Sequence, residues 1–138
     1  MSDRTAVEAV LDTFHMAAAA ADEERYAATL SSSMVFLGTA PGERWQAGEW
    51  RDFVHSYFSR GKGWSYEPSG RSVDFAEDGL TAWFDETVDN EHFGACRGTG
   101  VLTRHDDGWR IEQYNLTIPI PDEIAVDVVA RIREMRPA

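Results

Sequence analysis

The chain has 138 residues, 43% hydrophobic and 12% aromatic, which is enough to fill one core. Its 24 acidic and 13 basic residues leave a formal net charge of -11, which argues against phosphate backbones and anionic lipid as partners. Cys96 is the sole cysteine, so no internal disulfide can form; with no signal-like start and no long apolar stretch, the expectation is one soluble cytoplasmic domain over 1–138.

In chain order, the first element is a helix over residues 5–21, where Val7, Val10, Leu11, Phe14, Ala17, Ala18 and Ala21 form one apolar stripe. Ser2 or Asp3 caps it. The small residues at 17–21 let another backbone approach closely or leave room for a ligand. Asp22 caps a second short helix reaching Leu30. A brief strand over 34–37 ends at Gly38, and the Pro41-Gly42 loop follows. Trp50, Phe53, Val54, Tyr57 and Phe58 have helical spacing within 48–59, and Gly61-Lys62-Gly63 stops that helix.

From Trp64 the period becomes two. Extended segments are predicted at 64–68, 71–77, 80–89, 93–104 and 109–118, with tight turns at Asp78-Gly79 and Asp106-Asp107-Gly108. Pro119 and Pro121 end the last strand, and 122–135 reads as a closing helix whose Ile124, Val128, Val129 and Ile132 suggest packing. Helices and strands are segregated, which argues for α+β with a curved antiparallel sheet rather than βαβ winding. Gly98 and Gly100, mid-strand, allow a sharp bend.

These segments resemble the SnoaL-like branch of the ketosteroid-isomerase-like, or nuclear-transport-factor-like, superfamily. The likeness rests on Phe14-His15-Met16-Ala17-Ala18 with Ala21-Asp22 and Tyr26, and on Val35-Phe36-Leu37-Gly38-Thr39 with Glu43-Arg44-Trp45. It also rests on Ala82-Trp83-Phe84-Asp85-Glu86 and on the final hairpin from Arg97 through Gly108-Trp109-Arg110-Ile111 to Tyr114-Asn115-Leu116. The resemblance implies a cone-shaped α+β barrel, usually a homodimer packed through the sheet. It does not fix an activity, because the superfamily spans isomerases, cyclases, dehydratases, hydrolases and non-catalytic binding modules. Phe14 and His15 stand where an isomerase would place an oxyanion-hole tyrosine.

The candidate site depends on which strand faces point inward. In the last strand Trp109 and Ile111 suggest an inner face continuing through Gln113 and Asn115, with Arg97 and Thr99 of the neighbouring strand beside them. A slip of one residue would reverse this set. Trp83 and Asp85 share one face of the strand before, Phe84 and Glu86 the other. A carboxylate among aromatic residues can act as acid or base with a raised pKa; Asp85 opposite Arg97 would instead be an ion pair, orienting a ligand or fixing the sheet. His15, at the edge of the helical stripe, is either a proton shuttle or a core-edge histidine bonded to a carbonyl or to Asp22 or Glu86. Trp45 can stack on a flat ligand at the mouth, or Glu43 and Arg44 can simply clamp that loop.

The expected catalytic set is therefore Asp85, His15, Glu86 and Tyr114, and the ligand-binding set Trp45, Trp83, Arg97, Thr99, Gln113 and Asn115. The four histidines fall in four different elements without metal-ligand spacing, so no metal and no organic cofactor is expected. The reading is a small-molecule-binding protein with a pocket for a small apolar or aromatic ligand. The alternatives are a cofactor-independent acid–base enzyme using a pocket carboxylate, and a non-catalytic dimeric interaction module.

Overall fold

The computed structural model describes residues 2–136. Helix α1 (Asp3–Ala20) starts where the Ser2 hydroxyl accepts the Thr5 amide hydrogen at 3.1 Å, and Ala21 ends it in the left-handed region at φ 53°. Its apolar stripe of Val7, Leu11, Phe14, Ala17 and Ala18 is buried. Asp22 caps α2 (Glu23–Ala28). Strand β1 (Leu30–Leu37) begins directly afterwards, and β2 (Arg44–Gln46) pairs back on it across the Pro-Gly loop. Helix α3 (Ala47–Phe58) follows, with Glu49 accepting from the Gln46 amide at 3.1 Å. Next come β3 (Glu67–Phe75), β4 (Thr81–Asn90), β5 (Gly94–His105), β6 (Gly108–Thr117) and α4 (Asp122–Met135).

The strands form one sheet in the order β2-β1-β6-β5-β4-β3. Four neighbouring pairs are antiparallel, and the turns at Asp78-Gly79 and Asp106-Asp107-Gly108 join β3 to β4 and β5 to β6 as expected, whereas the short edge strand β2 was not expected. The pair β1–β6 is parallel, so the sheet is mixed. These two strands are remote in sequence, and no tight turn fixes their relative direction. Segments 64–68 and 71–77 prove to contribute one strand, β3, rather than two. Helices α1, α2 and α3 cover one face of the curved sheet, and the core lies between.

The small residues of α1 serve close approach. A side chain at Gly63 would collide with the Ala18 carbonyl, and the Trp64 amide donates to that carbonyl at 3.2 Å. This contact ties the start of the β3 connection to α1. Helix α4 differs from expectation. None of its residues is buried, and Ile124, Val129 and Ile132 remain 42–49% exposed. It does not close the cup, because no described element covers its apolar row.

Candidate active site

Two bulges set the site. Between Ser69 and Ser72, β3 carries two residues opposite one of β4, which places Arg71 beside Glu86. Between Ile111 and Gln113, β6 carries the extra residue Glu112. Below this bulge Trp109 and Ile111 face the helices; above it Tyr114 and Leu116 do. Glu112 itself is held by hydroxyls, accepting from Ser33 at 2.9 Å and Thr103 at 2.8 Å.

Glu86 is the centre of the inward face, 2% exposed. One carboxylate oxygen meets His15 Nε2 at 2.6 Å and accepts from the Tyr114 hydroxyl at 2.8 Å. The other accepts from Arg71 Nε at 2.7 Å. Arg71 also donates to Asp12 at 2.9 Å, while its Nη2 is buried without a protein partner. Burial alone would raise the Glu86 pKa, but the hydrogen bonds of His15 and Arg71, with the charge of Arg71 and that of His15 where its ring is protonated, outweigh it and hold the carboxyl below its ordinary value. The Tyr114 hydroxyl is pushed far up by burial and by the adjacent carboxylate, so it remains a proton donor to Glu86. Because the ionised carboxylate accepts, His15 Nε2 carries hydrogen and Nδ1 is the basic position of the neutral ring. Nδ1 makes no hydrogen bond among the described residues.

Gly98 makes this convergence possible. A Cβ at that position would collide with the Tyr114 hydroxyl and press on Glu86, so the strand next to Glu86 must lack a side chain there.

His15 and Tyr114 also border a small inner cavity of about 20 Å³, with Phe14, Ala18 and Phe36. Phe36, Trp64, Tyr66 and Leu116 line both this cavity and a wider vestibule of about 530 Å³. Trp45, Trp50, Phe53 and Phe93 complete the aromatic wall of the vestibule, and among the described residues Glu43 is the one charged group in its lining. Trp50 stacks on Phe36 at 3.9 Å and donates from Nε1 to the Tyr26 hydroxyl at 3.1 Å. Trp45 Nε1 is shielded from water and makes no hydrogen bond among the described residues.

The model of the SnoaL-like domain matches residues 7–121, most of the chain. The chain belongs to the SnoaL-like domain family. No curated protein matches the sequence. Solved structures share the fold at low identity. A protein of Novosphingobium aromaticivorans, provisionally described as an aromatic ring hydroxylase, is 18% identical with a TM-score of 0.71, covering 86% of this chain and 90% of that one. A protein of Streptomyces avermitilis, provisionally described as a dehydratase of the NTF2-like family, is 16% identical with a TM-score of 0.67, covering 86% and 97%. An NTF2-like protein of unknown function from Pseudomonas putida is 13% identical with a TM-score of 0.69, covering 89% and 92%.

Within this SnoaL-like domain, the residues expected from sequence divide into two groups. His15, Glu86 and Tyr114 come together, and Trp45 lines the vestibule. Asp85, Trp83, Arg97, Thr99, Gln113 and Asn115 lie on the opposite, outer face of the sheet. That corrects the expected inner face. An unbroken alternation from Ile111 would turn Gln113 and Asn115 inward, whereas the Glu112 bulge inverts it. Trp83 is 47% exposed and forms no wall of the cup. Asp85 pairs across the sheet with Thr99, and Arg97 with Thr87, so no Asp85–Arg97 ion pair forms among the described residues. The expected pocket carboxylate of raised pKa is also corrected: Glu86 is fully bonded with a lowered pKa, and Asp85 is exposed. Arg71 and Asp12 were not anticipated. Arg71 shares strand parity with Val73 and Phe75, which was the available signal.

Among the described residues no cluster suits a metal ion, and no helix is long and apolar enough to cross a membrane.

Proposed function

We propose that this domain holds a small, flat, largely aromatic molecule in the vestibule and that His15, at the inner end, transfers a proton to or from it. The observation that carries the reading is the buried His15–Glu86 contact of 2.6 Å on the wall of a cavity continuous in its lining with the aromatic vestibule. Glu86 fixes the ring and its tautomer, and stabilises the imidazolium once Nδ1 has taken a proton. Glu86 is thus the orienting group and not the base. Tyr114 and Arg71 satisfy its other lone pairs and hold it ionised. Proton abstraction next to a carbonyl, with return of the proton elsewhere or loss of a leaving group, is the class of reaction such a site supports. The dehydratase description of one fold relative lies in that class; the proposal rests on the dyad.

The test is hydrogen exchange at the carbon next to the carbonyl of a bicyclic aromatic ketone, tetralone, in heavy water, followed by NMR. Exchange at least about tenfold above buffer is expected, falling to the buffer rate in His15→Gln and persisting in Asp85→Asn. Exchange unaffected by His15→Gln sinks the catalytic reading. Absence of any shift in His15 or Trp64 resonances with the ketone sinks the binding reading too.

The family resemblance and the exposed Trp83 on the outer sheet face support self-association as a homodimer through that face. Light scattering on wild type and Trp83→Glu tests it, with loss of the dimer mass expected in the variant. The acidic charge and the single buried Cys96 support a cytoplasmic location.

A further inference from the structure

The vestibule is electrostatically one-sided. Glu43 is half-buried in its wall, while among the described residues no Lys, Arg or His lines either the vestibule or, apart from His15, the inner cavity. One Glu43 oxygen accepts the Ala40 amide hydrogen at 2.7 Å, which fixes the carboxylate at the lip rather than leaving it to swing into water. Burial, then Cys96 and Glu43, push the Tyr66 hydroxyl up, and Tyr66 lines the same vestibule. The same vestibule is lined by Trp45, Trp50, Phe53 and Trp64, whose ring centroids lie 5.1–6.1 Å apart in successive neighbours. Aromatic faces attract cations, and indole does so most strongly. A fixed carboxylate beside indole rings favours a positive ligand and disfavours a negative one.

We infer that the vestibule selects an organic cation, a flat aromatic or amine-bearing molecule whose positive charge sits between Glu43 and the tryptophan wall. This rests on the binding reading above and adds the charge class of the ligand. Carboxylates and phosphate esters are disfavoured at the site by the same field.

The test compares three probes of nearly the same shape at low salt and about pH 8: N-methylquinolinium, methylnaphthalene and naphthoate, by calorimetry and thermal shift. The cation is expected to bind about tenfold tighter than the neutral isostere, with naphthoate weakest, and the difference should shrink as salt is added. Glu43→Gln keeps an oxygen for the Ala40 amide and removes only the charge. It should bring the cation down to the affinity of methylnaphthalene and leave methylnaphthalene within about twofold of wild type. Asp74→Asn, the same charge change on the exposed outer face, should alter neither. Equal binding of cation and neutral probe, or a cation affinity indifferent to Glu43→Gln, overturns the charge assignment and leaves binding in the vestibule standing. Failure of all three probes to bind overturns both.

Discussion

Adjacent residues in β4 should behave very differently when each carboxylate becomes an amide. Glu86→Gln keeps the shape of the side chain but removes a charge that three donors share. The amide presents one oxygen and one NH₂ group, so at least one of His15 Nε2, the Tyr114 hydroxyl or Arg71 Nε then faces a donor. An unmatched buried donor costs about 1–3 kcal/mol, and removing one partner of a buried ion pair about 3–5 kcal/mol; the two overlap here, so the expected loss is about 3–5 kcal/mol. Against a total stability of about 5–15 kcal/mol, that is a large fraction. Asp85→Asn, on the exposed face one residue away, should change stability by less than about 0.5 kcal/mol. Urea unfolding of both variants, with unchanged slope, is the assay. The pH dependence gives a second reading. The Glu86 pKa is lower folded than its ordinary 4.5, so its contribution is complete above that value and is lost as pH falls through the folded pKa. The gap between wild type and Glu86→Gln should therefore close at acid pH. A loss under about 1 kcal/mol at neutral pH, or a gap that widens on acidification, would refute the reasoning.

Gly98→Ala should destabilise by about 2–4 kcal/mol, because the new methyl occupies the place of the Tyr114 hydroxyl; thermal melts followed by circular dichroism check it. Tyr114→Phe removes one of the three donors and leaves the other two bonded to Glu86, so a smaller loss of about 1–2 kcal/mol in urea is expected. Trp45→Phe deletes an indole N–H that has no protein acceptor, so its loss should stay under about 1 kcal/mol while the affinity of an aromatic ligand falls, measured by unfolding and by calorimetry.

Most of the element order was legible because helical and two-residue periodicities are local properties. The stripe of α1 and the hairpin turns at Asp78-Gly79 and Gly108 are of this kind. The inner face of the sheet was not legible in the same way. In β4 the parity of Ala82, Phe84 and Val88 against Asp85, Thr87 and Asp89 favours Glu86 as the inward acid, yet Trp83 points the other way by its size alone. In β6 the alternation changes at Glu112, and a bulge leaves no mark in composition. The partner strands and the hydroxyls of Ser33 and Thr103 decide it, and those lie far away in sequence. The parallel direction of β1 against β6 and the open position of α4 are likewise tertiary outcomes.

The polar cluster also has a structural task that constrains its chemistry. It supplies two side-chain links between α1 and the sheet: His15 to Glu86, and Asp12 through Arg71 to the same carboxylate. If His15 changes charge in the proposed reaction, the same carboxylate keeps its imidazolium from being stranded in an apolar wall of Phe14, Phe36 and Tyr114. Protonating His15 strengthens its bond to an ionised Glu86, so the link between helix and sheet tightens at the moment the ring becomes charged. The same carboxylate therefore anchors α1 in the resting protein and stabilises the charged ring in the proposed reaction. This predicts that variants of Glu86 lose proton transfer and stability together. Variants of Arg71, which touches the carboxylate but not the cavity lining, should lose stability first and act on His15 only through the Glu86 charge.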